Sequence, residues 1–369
     1  MLRLRTRIRV GLVAMLAVAT SLSSLGVAEA GDGGHSRPQV TVMSQNLYLG
    51  SSLDPALDPS VDTPQEFVAA VARIYATALL TDFPTRAEAI ADTIAREQPD
   101  LIGLQEVTNW VAAPTHPGPT PPSQDFLAIL VSELRERGLD YEVAAVANNA
   151  DIGPAPLVAP QFGCGVTAAD CVVTLQDRDV ILVNGDTPGL HWSDARSGRY
   201  AAQQTFTPPG SPPVSFARGW ASIEAKYRGE RFRFVNTHLE VASFPAVQEA
   251  QAREFAAGPA RSNNAVIAVG DFNSAADGSS TDTYDFLTGL FEDVWRVNPG
   301  PGFTCCQNGT LSNPTSLLNE RIDLILTRSS RRTQVQALEA HVVGDTPFQQ
   351  SVPRWPSDHA GVVATLALR

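Results

Sequence analysis

The chain has 369 residues, of which 43% are hydrophobic, so it can bury a large core in one big domain or two medium ones. Its formal net charge is -12, and an acidic surface repels polyanions, which argues against tight binding of duplex DNA. Beyond the first thirty residues, no stretch is long and apolar enough to predict a membrane-spanning helix.

The first thirty residues predict a secretory signal peptide. Four arginines lie among the first nine residues, an apolar run follows from 10 to 20, and small residues at 28–30 form a cleavage site. We therefore expect residues 31–369 to form the mature, secreted, extracellular domain. The removed segment holds four arginines and one glutamate, a net charge of +3, so the mature chain carries -15.

Alternating apolar stretches and helical spacings predict the elements of the first half of the chain. In order they are a strand over 39–49, a Pro/Asp loop over 54–64, a helix opened by Thr63-Pro64-Gln65-Glu66, a helix from 83 to about 98, a strand over 101–107, an exposed loop over 112–124, a helix over 125–137, an irregular segment over 148–171, and a strand over 179–183.

The second half begins with another irregular segment that ends near residue 213. It continues with a hairpin of strands 220–226 and 231–238, a helix over 245–255, a buried strand over 265–269, a helix over 284–290, and strands over 322–327 and 360–368. Strands and helices alternate and several strand pairs are antiparallel, which predicts one mixed α/β layered domain without internal repeats.

Four cysteines in an exported chain favour disulfide bonds, and four cysteines allow three pairings. We expect Cys164 to pair with Cys171. Cys305 and Cys306 could bridge each other or reach across to the first two, and the spacing leaves this open. The chain has no Cys-x-x-Cys pair, so a zinc site is not favoured.

Polar residues recur where the apolar strands end. Each has an ordinary explanation as a turn residue, a solvated strand end or a core histidine. Asp323 is the hardest to explain in this way, because a carboxylate among buried apolar residues costs several kcal/mol unless it is paired or bound to a metal. The positions are Asn46, Glu106, His238, Asp271, Asn273, Asp323, Asp358 and His359.

The motifs around these positions resemble the endonuclease/exonuclease/phosphatase superfamily, which includes pancreatic-type deoxyribonuclease and bacterial sphingomyelinases. The resemblance covers residues 39 to 368 and implies an α/β (α+β) four-layer sandwich, with two mixed β-sheets packed face to face and helices on the outer faces. The motifs, in order, are Gln-Asn-Leu, Leu-Gln-Glu-Val, Asn-Thr-His-Leu, Gly-Asp-Phe-Asn-Ser, Arg-Ile-Asp-Leu-Ile-Leu and Ser-Asp-His-Ala.

The resemblance also implies roles for the site residues. Glu106, with Asn46 and Asp358, would hold Mg²⁺, or Mn²⁺ or Ca²⁺, through oxygen ligands. Asp271 would orient or deprotonate the attacking water, and Asn273 would hold a phosphate oxygen. His238 and His359 would flank the phosphorus as acid/base and transition-state stabiliser. Asp323 would fix the tautomer of one of these histidines, and the sequence leaves open which one.

These expectations define a secreted, monomeric, divalent-metal-dependent phosphodiesterase that acts on a phospholipid headgroup, a small phosphodiester or nucleic acid. Acidity and export favour a sphingomyelinase or phospholipase C-like substrate. The alternatives are an extracellular DNase-like endonuclease and a catalytically inactive binding module. Of two further arginines, Arg178 is expected to form a surface salt bridge rather than to contact phosphate, and Arg218 is a weaker phosphate-binding candidate.

Overall fold

The computed structural model describes residues 37–165 and 170–369. The predicted signal peptide lies outside the described residues. Within the described ranges no single helix has the length and hydropathy to cross a bilayer. The helix pair Pro64–Leu80 and Phe83–Glu97 reaches the required length and composition when taken together, and is bent by 45°.

The described residues form sixteen strands and six α-helices. The strands are β1 (Gln39–Asn46), β2 (Leu101–Gln105), β3 (Asn109–Pro114), β4 (Gln124–Asp125), β5 (Tyr141–Leu157), β6 (Cys171–Asn184), β7 (Leu190–Arg199), β8 (Gln204–Phe206), β9 (Val214–Phe216), β10 (Gly219–Tyr227), β11 (Glu230–His238), β12 (Ala265–Asp271), β13 (Glu292–Asp293), β14 (Asp323–Arg328), β15 (Val335–Val343) and β16 (Gly361–Leu368). The helices are α1 (Asp54–Leu57), α2 (Pro64–Leu80), α3 (Phe83–Glu97), α4 (Phe126–Glu136), α5 (Pro245–Ala257) and α6 (Thr283–Thr288).

Two large sheets carry the fold. The first has the order β15-β16-β1-β2-β6-β3-β4, with β5 paired to β6, and the second has the order β13-β14-β12-β11-β10-β7. Both are mixed, because β1 and β2 are parallel within the first sheet and β11 and β12 within the second, among antiparallel neighbours. Strands β8 and β9 form a separate hairpin.

Three buried apolar layers separate the sheets and helices into a four-layer sandwich, as expected. The layer between the sheets includes Val42, Leu101, Ile181, Ile223, Phe234 and Ile267. Helices α2, α3 and α4 bury their apolar sides on the outer face of the first sheet. Helices α5 and α6 cover the second sheet through Phe255 and Leu287. The predicted fold class is therefore confirmed.

Local signals in the sequence account for several element boundaries. Thr63 caps α2 in a capping box, in which its side chain accepts from the Glu66 backbone N–H and Glu66 bonds back to Thr63. The predicted hairpin is β10 and β11, joined by a two-residue turn at Arg228 and Gly229 with φ of 49° and 102°. Positive φ at both positions suits the twist of a tight hairpin.

Four sequence-based assignments of irregular structure were wrong. The segment 148–171 begins in β5, which ends at Leu157 and contains Gly153 and Pro154. A register shift against β6 between Ile152 and Ala155 accommodates these two residues. The predicted loop over 112–124 begins inside β3, and the segment before residue 213 contains β7 and β8, the first strand of the β8–β9 hairpin. The loop over 54–64 begins with α1, and β15 had no predicted counterpart.

The cysteines pair locally. Cys164 is bonded to Cys171, with a Cα–Cα distance of 5.3 Å, as predicted. Cys305 is paired with its neighbour Cys306, so neither reaches across to the first pair.

Replacing Gly270 is expected to destabilise the fold, because a Cβ there would collide with the backbone carbonyl oxygen of Thr237 on the neighbouring strand. Backbone atoms cannot move aside as a side chain can. We expect Gly270→Ala to lower the free energy of unfolding by at least about 2 kcal/mol, measured by urea denaturation. Gly300→Ala is the control, since its Cβ would meet no atom within 4 Å, and equal losses in both variants would contradict the explanation.

Candidate active site

Strand register places three of the predicted site residues side by side in the second sheet. His238 at the end of β11 pairs with Asp271 at the end of β12, and Asp271 pairs with Asp323 at the start of β14. In the first sheet, Asn46 ends β1 next to Gln105, so Glu106 follows directly. The Ser357 hydroxyl donates to the Asn46 carbonyl oxygen at 2.7 Å, which brings Asp358 and His359 to the same edge.

The Asp271 carboxylate is where the two sheets meet. Its Oδ2 accepts from Asn46 Nδ2 at 3.1 Å, and lies 3.5 Å from His238 Nε2 and 3.9 Å from His359 Nε2. Its Oδ1 accepts the backbone N–H of Asn273 at 2.9 Å. Burial, followed by the charge of Asp323, raises the pKa of Asp271 to about 7. A carboxylate with this pKa can exchange a proton near neutral pH.

Asp323 orients His359 rather than His238. The Asp323 side chain is fully buried, and its Oδ2 lies 2.8 Å from His359 Nδ1. Burial alone lowers the pKa of His359, but the charges of Asp323 and Asp358 outweigh it and hold that pKa well above the usual value. His359 is therefore an imidazolium near neutral pH, with its Nε2–H side towards Asp271.

His238 has the opposite electrostatic environment. Arg218 Nη1 lies 3.1 Å from both ring nitrogens, and Asn273 Nδ2 lies 3.1 Å from Nε2. Burial, the Arg218 charge and the His359 charge lower the pKa of His238 well below 6.5. The site therefore holds one neutral and one charged imidazole on either side of Asp271, which suits two different roles in proton transfer.

Asn273 is held in place by its backbone. It adopts a left-handed φ of 51°, and its side-chain amide also donates to the Leu239 carbonyl at 3.0 Å. Asparagine tolerates this conformation better than most residues. The turn after β12 therefore presents the Asn273 amide towards His238 and leaves it half-buried at the mouth of the site.

Glu106 and Asp358 form an acidic pair at the edge of the first sheet. Both are half-buried, and Glu106 Oε2 accepts the Leu49 N–H at 2.6 Å. Burial, then the charges of Asp358 and Asp177, raise the pKa of Glu106 to about 8, and burial likewise raises that of Asp358. Two buried carboxylates whose ionised forms are disfavoured provide the oxygen donors that a hard divalent cation prefers. The residues present therefore fit such an ion.

A second group could hold a cation by distance alone. Ligand atoms of Asp271, Asp323 and His359 all lie within 4.8 Å of one another. In this group His359 Nδ1 already forms the 2.8 Å hydrogen bond with Asp323. The protonated imidazole also has no free nitrogen lone pair with which to bind a metal ion. The oxygen-only pair of Glu106 and Asp358 is the better match for a magnesium-type ion.

Arg86 holds the two loops next to Asn46 and Asp358, and no sequence signal singled it out. Its guanidinium is fully buried in α3 and donates to the carbonyl oxygens of Leu47 at 2.6 Å and Pro356 at 2.9 Å. These loops follow β1 and precede β16. The arginine thus joins two chain segments more than 300 residues apart, next to Asn46 and Asp358.

Two further buried acids, Asp177 and Asp179, lie on the inner face of β6 and were also missed. The Asn149 amide donates to Asp177 at 3.4 Å, and both oxygens of Asp179 lack a hydrogen bond of good geometry among the described residues. Burial, then the charge of Asp177, raises the pKa of Asp179 well above its usual value. Arg178 between them points away and pairs with Asp125 at 2.5 Å, which confirms its predicted salt bridge.

Arg218 is expected to set the protonation state of His238. Replacing it with glutamine keeps a hydrogen-bond donor and removes the charge, so the pKa of His238 should rise towards 6.5. Histidine NMR titration measures this, with Arg196→Gln at an exposed arginine as the control. An unchanged His238 titration in Arg218→Gln would show that the guanidinium does not act on the ring.

Solved structures share this architecture at low sequence identity. An endonuclease/exonuclease/phosphatase from Bacteroides vulgatus is 16% identical with a TM-score of 0.51, over 90% of this chain and 100% of its own. TDP2 from D. rerio, complexed with a single-strand DNA product, is 14% identical with a TM-score of 0.53, over 89% and 98%. A mannosyl-6-phosphatase from Bacteroides thetaiotaomicron is 18% identical with a TM-score of 0.51, over 89% and 99%. These likenesses show the fold alone.

No curated protein matches the chain significantly in sequence. The family model described as Endonuclease/Exonuclease/phosphatase family matches residues 44–359, which is most of the chain and includes every predicted site residue. The protein therefore belongs to the endonuclease/exonuclease/phosphatase family, whose members are hydrolases of phosphoester bonds.

Proposed function

We propose that the protein is a secreted, divalent-metal-dependent phosphodiesterase that hydrolyses its substrate by direct attack of water. The observation that carries the proposal is the meeting of Asp271, His238 and His359 within 3.9 Å at one edge of the sandwich. A carboxylate with a pKa of about 7 lies there between a neutral and a charged imidazole.

In the proposed mechanism, Asp271 accepts the proton of the attacking water, since its pKa lets it be ionised at neutral pH. Asn46 and the Asn273 backbone N–H hold this carboxylate in position. His359, kept protonated by Asp323, stabilises the negative charge that develops on the phosphoryl oxygens and can donate a proton. The Asn273 amide and His238 bind a phosphate oxygen on the other side.

Glu106 and Asp358, with Asn46 nearby, are the residues that would hold the cation. When bound, a divalent ion neutralises phosphate charge and polarises the reacting phosphorus. No covalent enzyme intermediate is needed, because Asp271 can act directly on water.

Among substrates, we favour the phosphate of a phospholipid headgroup or a small phosphodiester. A mature chain with a net charge of -15 offers little attraction to polyanionic DNA. The test offers the purified protein sphingomyelin, phosphatidylcholine, bis-p-nitrophenyl phosphate and plasmid DNA, each with Mg²⁺ or with EDTA. Turnover of the lipids or the small diester with Mg²⁺ supports the proposal. Cleavage of DNA alone would replace it with the nuclease alternative, and a folded protein inert towards all four would be a binding module.

A further inference from the structure

An apolar groove lies between helices α1 and α2 and the outer face of the first sheet, and every residue that lines it is apolar. Helices α1 and α2 contribute Leu57 and Phe67, and strand β5 contributes Ile152. The β8–β9 hairpin, which belongs to neither large sheet, closes the opposite wall with Phe206 and Phe216.

The side chains that form the walls of the groove are partly exposed to solvent, unlike those of the core. Leu57, Phe67, Ile152, Phe206 and Phe216 are all half-buried, whereas the side chains deeper between helix and sheet are almost fully buried. Apolar surface left in contact with water is unfavourable, at about 25 cal/mol per Å². Binding of an apolar ligand in the groove would remove this surface from water and is therefore favourable.

Two hydrogen bonds connect the groove to the acidic pair. Trp110, which lines the groove, donates from its indole nitrogen to the Leu49 carbonyl at 2.7 Å, and the Leu49 N–H donates to Glu106 Oε2 at 2.6 Å. One residue spans about 3.5 Å, so the indole nitrogen and the Glu106 carboxylate are separated by about 10 Å at most.

We propose that this groove binds the hydrocarbon chain of a lipid phosphodiester whose phosphate is hydrolysed at the adjacent site. This inference rests on the proposed function and narrows its substrate class. A nucleic acid offers charged phosphates and flat polar bases to a surface, whereas an alkyl chain matches a lining without a single charged residue. In a phospholipid only a few bonds separate the phosphorus from the chains, as the short link between the groove and Glu106 requires.

The test uses alkyl p-nitrophenyl phosphates with chains from ethyl to decyl, below their aggregation concentrations. In each reaction water adds to phosphorus, the bond to the aryl oxygen breaks, and p-nitrophenolate, the alkyl phosphate and a proton are released. The headgroup and leaving group stay constant, so chain length alone varies. We expect kcat/KM to rise roughly tenfold for every two CH₂ groups until the groove is filled, since one buried CH₂ contributes about 0.8 kcal/mol and 1.4 kcal/mol is a factor of ten.

The variant Ala155→Phe fills the groove from β5, and Leu57→Ala removes part of its rim. Ala76→Phe is the control, since Ala76 is exposed on α2 and does not line the groove. We expect Ala155→Phe to abolish the chain-length dependence and Leu57→Ala to weaken it, while both hydrolyse the ethyl ester at the wild-type rate, which also reports an intact fold. The control should behave as wild type.

Failure of this inference differs from failure of the proposed function. If the wild type hydrolyses the ethyl and decyl esters equally well, or if Ala155→Phe and Leu57→Ala both keep the full dependence, the groove does not bind the chain although the protein is a phosphodiesterase. If a folded wild type hydrolyses none of the esters with Mg²⁺, the proposed function itself fails, and the lipid assignment fails with it.

Discussion

Replacing Asp271 with alanine is expected to lower phosphoester turnover by at least about 10³-fold, because groups that act as a unit in the transition state cost that much when one is removed. Asp271 is the group that both sheets and both histidines approach, so no neighbour can take over its proton. His359→Ala should cause a loss of similar size, since it removes the protonated partner on the other side. Steady-state kinetics with bis-p-nitrophenyl phosphate measures both.

The matched control for this prediction is Asp277→Ala. Asp277 lies in the turn that follows Asp271 and is exposed. Its carboxylate accepts the Ser279 N–H and contacts neither histidine. It should keep full turnover, and circular dichroism should show the same fold in all three variants. Near-normal turnover in Asp271→Ala would remove the role assigned to this carboxylate.

The second large effect is expected in the pH dependence of stability without a cation. Burial raises the pKa of Glu106 to about 8 and that of Asp271 to about 7, so between pH 6.5 and 8.5 the folded state binds more protons than the unfolded state. Stability must then fall as pH rises through this window. The raised pKa of His359 acts in the same direction. The lowered pKa of His238 acts in the opposite direction near pH 6.5, where an unfolded histidine is still partly protonated, and this opposition fades as pH rises.

A bound cation should reverse this loss, since it binds the ionised carboxylates. At a concentration one hundred times its Kd it should contribute about 2.7 kcal/mol. Thermal melts in EDTA and in Mg²⁺ or Mn²⁺ at pH 6.5 and 8.5 measure both effects. Glu106→Gln should lose most of the cation stabilisation, and Glu136→Gln, at an exposed helix position, should keep it. Equal cation stabilisation in the two variants would place the ion elsewhere.

The sequence predicted the fold class correctly, and a single recurring signal selected the candidate site residues. Each of the eight site residues follows or precedes an apolar strand, and strand ends are where a sheet presents side chains to one edge. The sequence could not show which ends would meet, because that depends on register. The register pairs His238 with Asp271 and Asp271 with Asp323 across three strands. The hydrogen bond from His359 Nδ1 identifies His359 as the partner of Asp323.

The residues that were missed act through long-range contacts. Arg86 looks like any helical arginine in the sequence, and its function as a clamp appears only when the loops at Leu47 and Pro356 fold over it. Asp177 and Asp179 precede an apolar run and resemble a solvated strand start, yet β6 extends to Cys171 and buries them. Strand β5 was missed because Gly153 and Pro154 normally mark a turn, whereas an edge strand with bulges tolerates them.

The central claim is that this edge of the sandwich hydrolyses a phosphodiester with the help of a divalent cation. The most direct test is the rate of bis-p-nitrophenyl phosphate hydrolysis by one preparation before EDTA, after EDTA, and after Mg²⁺ is restored in excess. We predict that the rate falls to background with EDTA and returns with Mg²⁺. A rate that EDTA leaves unchanged, or a folded protein without activity in all three conditions, would contradict the claim.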